Sequence, residues 1–273
     1  MSNVDVYEQN LDQRLIELRK GDPAHRLHTL SVLETLIYTM DSFPIKRRIR
    51  RIIDVGCGLG FLTKAISEIR KTHVVGIDPS EKAISLARIE HPDVNFEIAD
   101  AQSYKGKSLF DYAILNMVLH SVDDPTALGI LSGIHHNLRV CGGLIMIVPA
   151  KDWLMQKLIE YAQDKEMPRI RGIIWVQDQL SKKQVELPVK IRGGEYYPKP
   201  ITIFNRTPED YGNMLLQAGF GVDEGEYTTS GKQLSTIRYP YYNPWDYTVT
   251  YELKHRRRLT MLTYAQLPGQ YTP

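Results

Sequence analysis

Cysteine is scarce in this chain, with two in 273 residues. Neither Cys57 nor Cys141 has a partner at metal-ligand spacing, which excludes a disulfide framework and a cysteine-built metal centre. No metal is expected. Also missing are an uncharged apolar run of roughly 18 residues or more and a charged opening stretch that leads into an apolar one. A membrane span and a secretory leader are therefore not expected, and the expected compartment is the cytoplasm. Excess charge of one sign is lacking too: 34 basic against 32 acidic residues leave a net charge of +2, too little to support a nucleic-acid partner. The basic runs Lys46 to Arg51 and Lys254 to Arg258 read as solvated faces, the first entering a strand at its amino end. No internal repeat or low-complexity tract occurs. With 42% hydrophobic and 24% charged residues, the chain suffices for one sizeable domain with insertions, as a monomer or homodimer.

What is present is concentrated at Ile52 to Gly60, which reads Ile-Ile-Asp-Val-Gly-Cys-Gly-Leu-Gly. An apolar strand ends in Asp54, and Gly56, Gly58 and Gly60 remove every second Cβ where the strand turns into a helix, so a ligand can lie against the main chain. Leu62, Ala65, Ile66 and Ile69 give that helix an inner face. A dinucleotide fingerprint would place its third glycine at Phe61, where a ring hinders pyrophosphate, and Asp54 would repel it. An acid suits a cationic ligand. A second strand, His73 to Asp78, ends in a carboxylate able to accept two ribose hydroxyls as charge-assisted hydrogen bonds. Pro79, Ser80 and Glu81 then open a helix with Ser80 as N-cap and Ala83, Ile84 and Ala87 inward. A third strand alternates Val94, Phe96 and Ile98 and ends at Asp100; a fourth runs from Phe110 to His120.

Asp-x-Gly-x-Gly-x-Gly in this setting resembles the first motif of class I S-adenosylmethionine-dependent methyltransferases, a resemblance covering roughly residues 50 to 150. It implies an α/β fold: a doubly wound, Rossmann-like, mostly parallel seven-stranded sheet. It implies S-adenosyl-L-methionine as cofactor, with S-adenosyl-L-homocysteine as its product. Asp54, Gly56, Cys57, Gly58 and Gly60 would hold the amino-acid end, Asp78 and Pro79 the ribose, and Asp100 and Ala101 the adenine. Asn116, Met117 and Val118 would border the methionine moiety. His120 is the nearest candidate base, with a loop-capping role as the alternative.

Flanking segments complete the expected plan: a helical cap over 1–45, a cofactor-binding core over 46–150, a substrate lid over 151–200, and completion of the core over 201–273, all in one domain. In similar methyltransferases N-terminal helices cover the cofactor, which makes Tyr7 a candidate substrate-side residue, with plain helix packing as the alternative. Trp153, Trp175, Tyr196 and Tyr197 are candidates to line an apolar or aromatic substrate pocket, or else the core of the insertion. A helix is expected over Pro125 to Val140, with His136 facing water, and a fifth strand over Gly143 to Val148 after a Cys-Gly-Gly exit. Thr207-Pro208 caps a late helix. Last strands are expected in Phe220 to Thr229 and in Thr236 to Tyr242 or Tyr247 to Leu253. Asn243-Pro-Trp-Asp reads as a turn. The expected activity is methyl transfer to oxygen or nitrogen of a small molecule. Alternatives are an RNA or protein methyltransferase and a noncatalytic cofactor-binding module that works through partners.

Overall fold

Ile52 and Ile53 point to opposite faces of β1 (Arg51–Val55), and both are buried. A strand of this kind needs cover on two sides. A computed structural model of the chain describes residues 3–19, 29–30, 33, 51–70, 72–149, 151–188, 196, 199–220, 248–254 and 261–264. It supplies that cover with helices on both faces of a mostly parallel sheet. In chain order the elements are α1 (Asn3–Arg19), β1, α2 (Phe61–Arg70), β2 (His73–Asp78), α3 (Glu81–Glu90), β3 (Asn95–Ile98) and β4 (Phe110–Asn116). A short turn at Leu119–Ser121 leads to α4 (Asp124–Asn137) and β5 (Leu138–Pro149). Then follow α5 (Lys151–Asp164), α6 (Arg169–Ser181), β6 (Gln184–Leu187), β7 (Ile201–Phe204), α7 (Pro208–Gln217), β8 (Thr248–Lys254) and β9 (Met261–Tyr264).

The sheet order is β3-β2-β1-β4-β5-β8-β9, parallel through β5, with β8 antiparallel to β5 and β9 antiparallel to β8. Strand order therefore reverses between β1 and β4, and a crevice forms beyond the carboxyl ends of those two strands. One core layer joins Ile52, Ile66, Val74, Tyr112, Ile114, Ile145 and Ile147. The other joins Ile53, Val55, Val75, Ile77, Leu115 and Met146 to Leu131 and Ile134 of α4 and Leu215 of α7. A smaller cluster holds α1 through Leu11 and Leu15 against Leu59 and Ala83.

Several boundaries depart from the sequence expectation. The helix expected to reach Val140 ends at Asn137, and β5 begins at Leu138. Cys141, Gly142 and Gly143 lie inside this strand rather than punctuating its start. A side chain at Gly143 would come within 2.5 Å of the Tyr112 ring, so that glycine makes room for a neighbouring strand. Ile98 does not share the burial of Phe96; it is 47% exposed at the tip of the edge strand. Residues 151–188 form two helices and β6, which pairs antiparallel with β7 just beyond the expected 151–200 insertion, around a shared core of Leu158, Val176, Val185 and Ile203. Tyr247 to Leu253 corresponds to β8, and β9 is an additional strand. Phe220 is buried, but the rest of the strand expected to Thr229, the alternative Thr236 to Tyr242, and Asn243-Pro-Trp-Asp lie outside the described residues. Among the described residues no helix is long and apolar enough to cross a membrane.

Candidate active site

The Gly56 and Cys57 amides both donate to the Ile77 carbonyl, at 2.8 and 3.1 Å, which ties the turn after β1 to the end of β2. Gly56 takes φ +71° and Gly58 φ +54°, where a side chain is strained. A Cβ on Gly56 would strike the Val118 side chain, and one on Gly58 would lie 2.5 Å from the Tyr7 hydroxyl. The sequence assigns these glycines to close ligand approach. The structure shows a second reason: they admit protein neighbours from the β4 loop and from α1.

Three acids stand at the carboxyl ends of three adjacent strands. Asp54 is fully buried and accepts a 2.6 Å hydrogen bond from the Thr63 hydroxyl in the first turn of α2. Burial pushes its pKa up to about 6; the Thr63 bond opposes this and the nearby Asp78 charge adds to it. Asp78 accepts from the Gly58 amide at 3.0 Å and the Ser80 amide at 2.9 Å. Burial raises its pKa against those two bonds. Pro79 beside it is exposed. Asp100 is exposed and accepts from the Gln102 amide at 2.9 Å, shaping the loop that follows β3. Ala101 is buried, and its carbonyl lies so close to Gly133 of α4 that a Cβ there would displace the loop. Among the described residues no salt bridge reaches Asp54 or Asp78, and no cluster of candidate metal ligands occurs.

At the tip of β4, Asn116 follows Leu115, the register partner of Val55, and so stands beside the glycine turn. Its Oδ1 is buried and accepts no hydrogen bond among the described residues. Met117 takes φ +57°, a conformation costly for a bulky residue, and its amide donates to Ile147 at 2.8 Å. Val118 packs on Gly56. His120 is buried in the Leu119–Ser121 turn; burial and then the Arg206 guanidinium lower its pKa to about 4. It is neutral at physiological pH and a weak proton acceptor.

Helix α1 packs on α3 and on β7, and β7 packs on the Leu119–Ser121 turn, so the cap and the insertion both border the crevice. Ser80 donates to the Glu8 carboxylate at 2.5 Å, and Lys82 reaches Asp12 at 2.7 Å. Tyr7 is thus placed over the glycine turn, with its hydroxyl held neutral by burial. The other aromatic candidates behave differently. Trp175 lies tilted against Tyr161 at 5.6 Å, Tyr196 meets Tyr161 edge-on at 5.1 Å, and the Tyr196 hydroxyl donates to Asp164 at 2.5 Å. These rings build the insertion's own packing. The Trp153 side chain and Tyr197 lie outside the described residues, as do residues 46–50 of the basic run and most of the second N-terminal apolar stripe.

Sequence reading missed Thr63 and Arg206. Thr63 carried a usable signal, since it lies one helical turn into α2, above the acid that opens the motif. Arg206 carried none.

Comparison with known proteins agrees with this geometry. The family profile described as a methyltransferase domain matches residues 18–184. A ubiquinone biosynthesis O-methyltransferase of Thiobacillus denitrificans is 31% identical over 133 residues, 46% of this chain and 56% of that protein. A malonyl-[acyl-carrier protein] O-methyltransferase of Bacillus anthracis is 21% identical over 179 residues, 64% of this chain and 66% of that protein. The chain thus spans roughly half to two thirds of these relatives' length. A solved magnesium protoporphyrin IX methyltransferase from Synechocystis, with S-adenosylmethionine bound, shares the fold at a TM-score of 0.55 and 12% identity, covering 94% of this chain and 98% of that one. The strand order, the acid-flanked glycine turn and the domain-wide match together place the chain in the S-adenosylmethionine-dependent methyltransferase family.

Proposed function

We propose that this protein transfers the methyl group of S-adenosylmethionine to an oxygen atom of a small molecule. One observation carries the cofactor half of the reading. Two buried carboxylates without a salt bridge among the described residues, and a buried Asn116 Oδ1 without a donor, stand around one turn. A ligand that brings positive charge together with N–H and O–H donors satisfies all three, and a pyrophosphate satisfies none. Asn116 would accept from the ammonium, Asp54 would set the negative potential beneath it, Asp78 would hold the ribose hydroxyls, and the Asp100–Ala101 loop would meet the adenine. The cofactor, when bound, supplies an activated methyl.

The acceptor half rests on His120 and on the relatives' names. The Thiobacillus and Bacillus relatives are both named as O-methyltransferases. An imidazole with a pKa near 4 does little to deprotonate an alcohol, so the reading favours an oxygen that ionises unaided, a carboxylate or an acidic phenol. Catalysis then comes from alignment, which is able to supply up to about 7–11 kcal/mol. The insertion from α5 to β7, seated through β7 on the Leu119–Ser121 turn, would form the acceptor side, and α1 the cover.

Calorimetry with S-adenosylmethionine, S-adenosylhomocysteine and NAD tests the first half. Binding of the first two but not of NAD is expected, and NAD binding alone would refute it. Transfer of labelled methyl to a panel of carboxylates, phenols and alcohols tests the second. Preference for alcohols, or transfer to RNA or protein instead, would overturn it.

A further inference from the structure

Among the described residues, Arg206 reaches the turn after β4 from a distant part of the chain. Its side chain is 4% exposed. It donates to the Leu119 carbonyl from Nη1 and to the Val122 carbonyl from Nη2 at 2.6 Å, while Nε reaches Asp124 Oδ1 at 2.8 Å. The guanidinium lies over the Phe204 ring at 5.2 Å and the Tyr211 ring at 5.8 Å. A single planar fork therefore joins β7, the turn after β4, the start of α4 and α7. The two carbonyls it holds flank His120, and the turn they belong to continues from Met117 at φ +57° and from Val118, which packs on Gly56. A strained conformation of this kind persists only where its surroundings over-determine it.

We propose that Arg206 is a positioning residue for methyl transfer, clamping the Met117–Val122 turn so that Asn116, Val118 and His120 keep their places at the cofactor's methyl end. Lysine cannot replace it, because an ammonium presents no fork to two carbonyls and a carboxylate at once. Burial keeps the His120 imidazole neutral, and the Arg206 charge beside it adds to that effect. Among the described residues, the charged and titratable groups around this clamp include His120, Asp123 and Asp124 at the start of α4, and Asp210 and Tyr211 of α7.

The inference rests on the methyltransferase reading, and its test separates the two. S-adenosylhomocysteine affinity is measured by calorimetry, and the His120 imidazole titration by NMR, for the intact protein and for Arg206→Lys and Arg206→Met. Failure of the unaltered protein to bind the probe would sink the functional reading. If it binds, both variants are expected to bind about tenfold or more weakly. In Arg206→Met the His120 titration is expected to move up in pH; in Arg206→Lys, which retains charge, it is expected to stay low. Equal affinity in all three proteins, or a titration that does not move in Arg206→Met, overturns the clamp. Should Arg206→Met fail to fold, Arg206→Lys decides through affinity alone: weaker binding supports the fork geometry and unchanged binding refutes it.

Discussion

Asp54 is where burial and the proposed cofactor role oppose each other. Its pKa is raised from 3.8 to about 6, so its favourable contribution to folding is full below the lower value and is lost as pH rises through the upper one. At pH 7 the unliganded protein carries an ionised acid it would hold more cheaply as an amide. Asp54→Asn is expected to raise the unfolding free energy at pH 7 by on the order of 1–3 kcal/mol, with the advantage shrinking toward pH 4. Urea unfolding at both pH values checks this. The same variant is expected to bind S-adenosylmethionine at least about tenfold more weakly, since a cationic ligand loses its counter-charge. In the unaltered protein, cofactor affinity is expected to increase with pH through about 6, with proton release on binding, measurable by calorimetry in buffers of different ionisation enthalpy. His120 has the opposite sign: its pKa is lowered from 6.5 to about 4, so its contribution is present above the first value and lost as pH falls through the second. The three acids and the glycines were legible in the sequence because each sits at the end of a short apolar strand, a purely local pattern. Arg206 was not, because its partners Leu119 and Val122 are 87 and 84 positions away.

Among the elements, the contact between α1 and the glycine turn makes the sharpest demand. Gly58 has both φ +54° and a Cβ direction that ends 2.5 Å from the Tyr7 hydroxyl, with the ring carbon behind it at 3.6 Å. Gly58→Ala is expected to destabilise through backbone strain of about 1–2 kcal/mol plus the collision. Tyr7→Phe in that background removes the colliding oxygen and leaves an ordinary contact. Thermal unfolding of the single and double variants should show Tyr7→Phe recovering part of the loss; no recovery would mean α1 does not rest on the turn. Element boundaries were less legible than element identities. Gly142 and Gly143 look like an exit from a helix, but they continue β5 because Gly143 faces the Tyr112 ring across the sheet. Ile98 follows the inward alternation in sequence and is exposed because β3 is the sheet's edge.

At the scale of the whole molecule, the two sheet-flanking clusters include β1, β4 and β5, whereas α1 is held by a separate small cluster and by exposed charge pairs such as Lys82 with Asp12. Exposed pairs contribute little, about 0–1 kcal/mol, so α1 is expected to open locally while the sheet stays intact. Hydrogen exchange should show α1 amides exchanging faster than those of β1, β4 and β5, and saturating S-adenosylmethionine should slow them; an unaffected α1 would rule it out as a cover. The parallel sheet and its crevice were legible because the strands are short apolar runs, most of them followed by a helix, whereas the fold after β5 depends on packing among its own elements, with only the four-residue alternation of β6 to signal a strand. Helix α1 packs on α3, which opens beside Asp78, and also on β7, which packs on the Leu119–Ser121 turn. A displacement of this one helix would therefore be felt at both ends of the crevice at once.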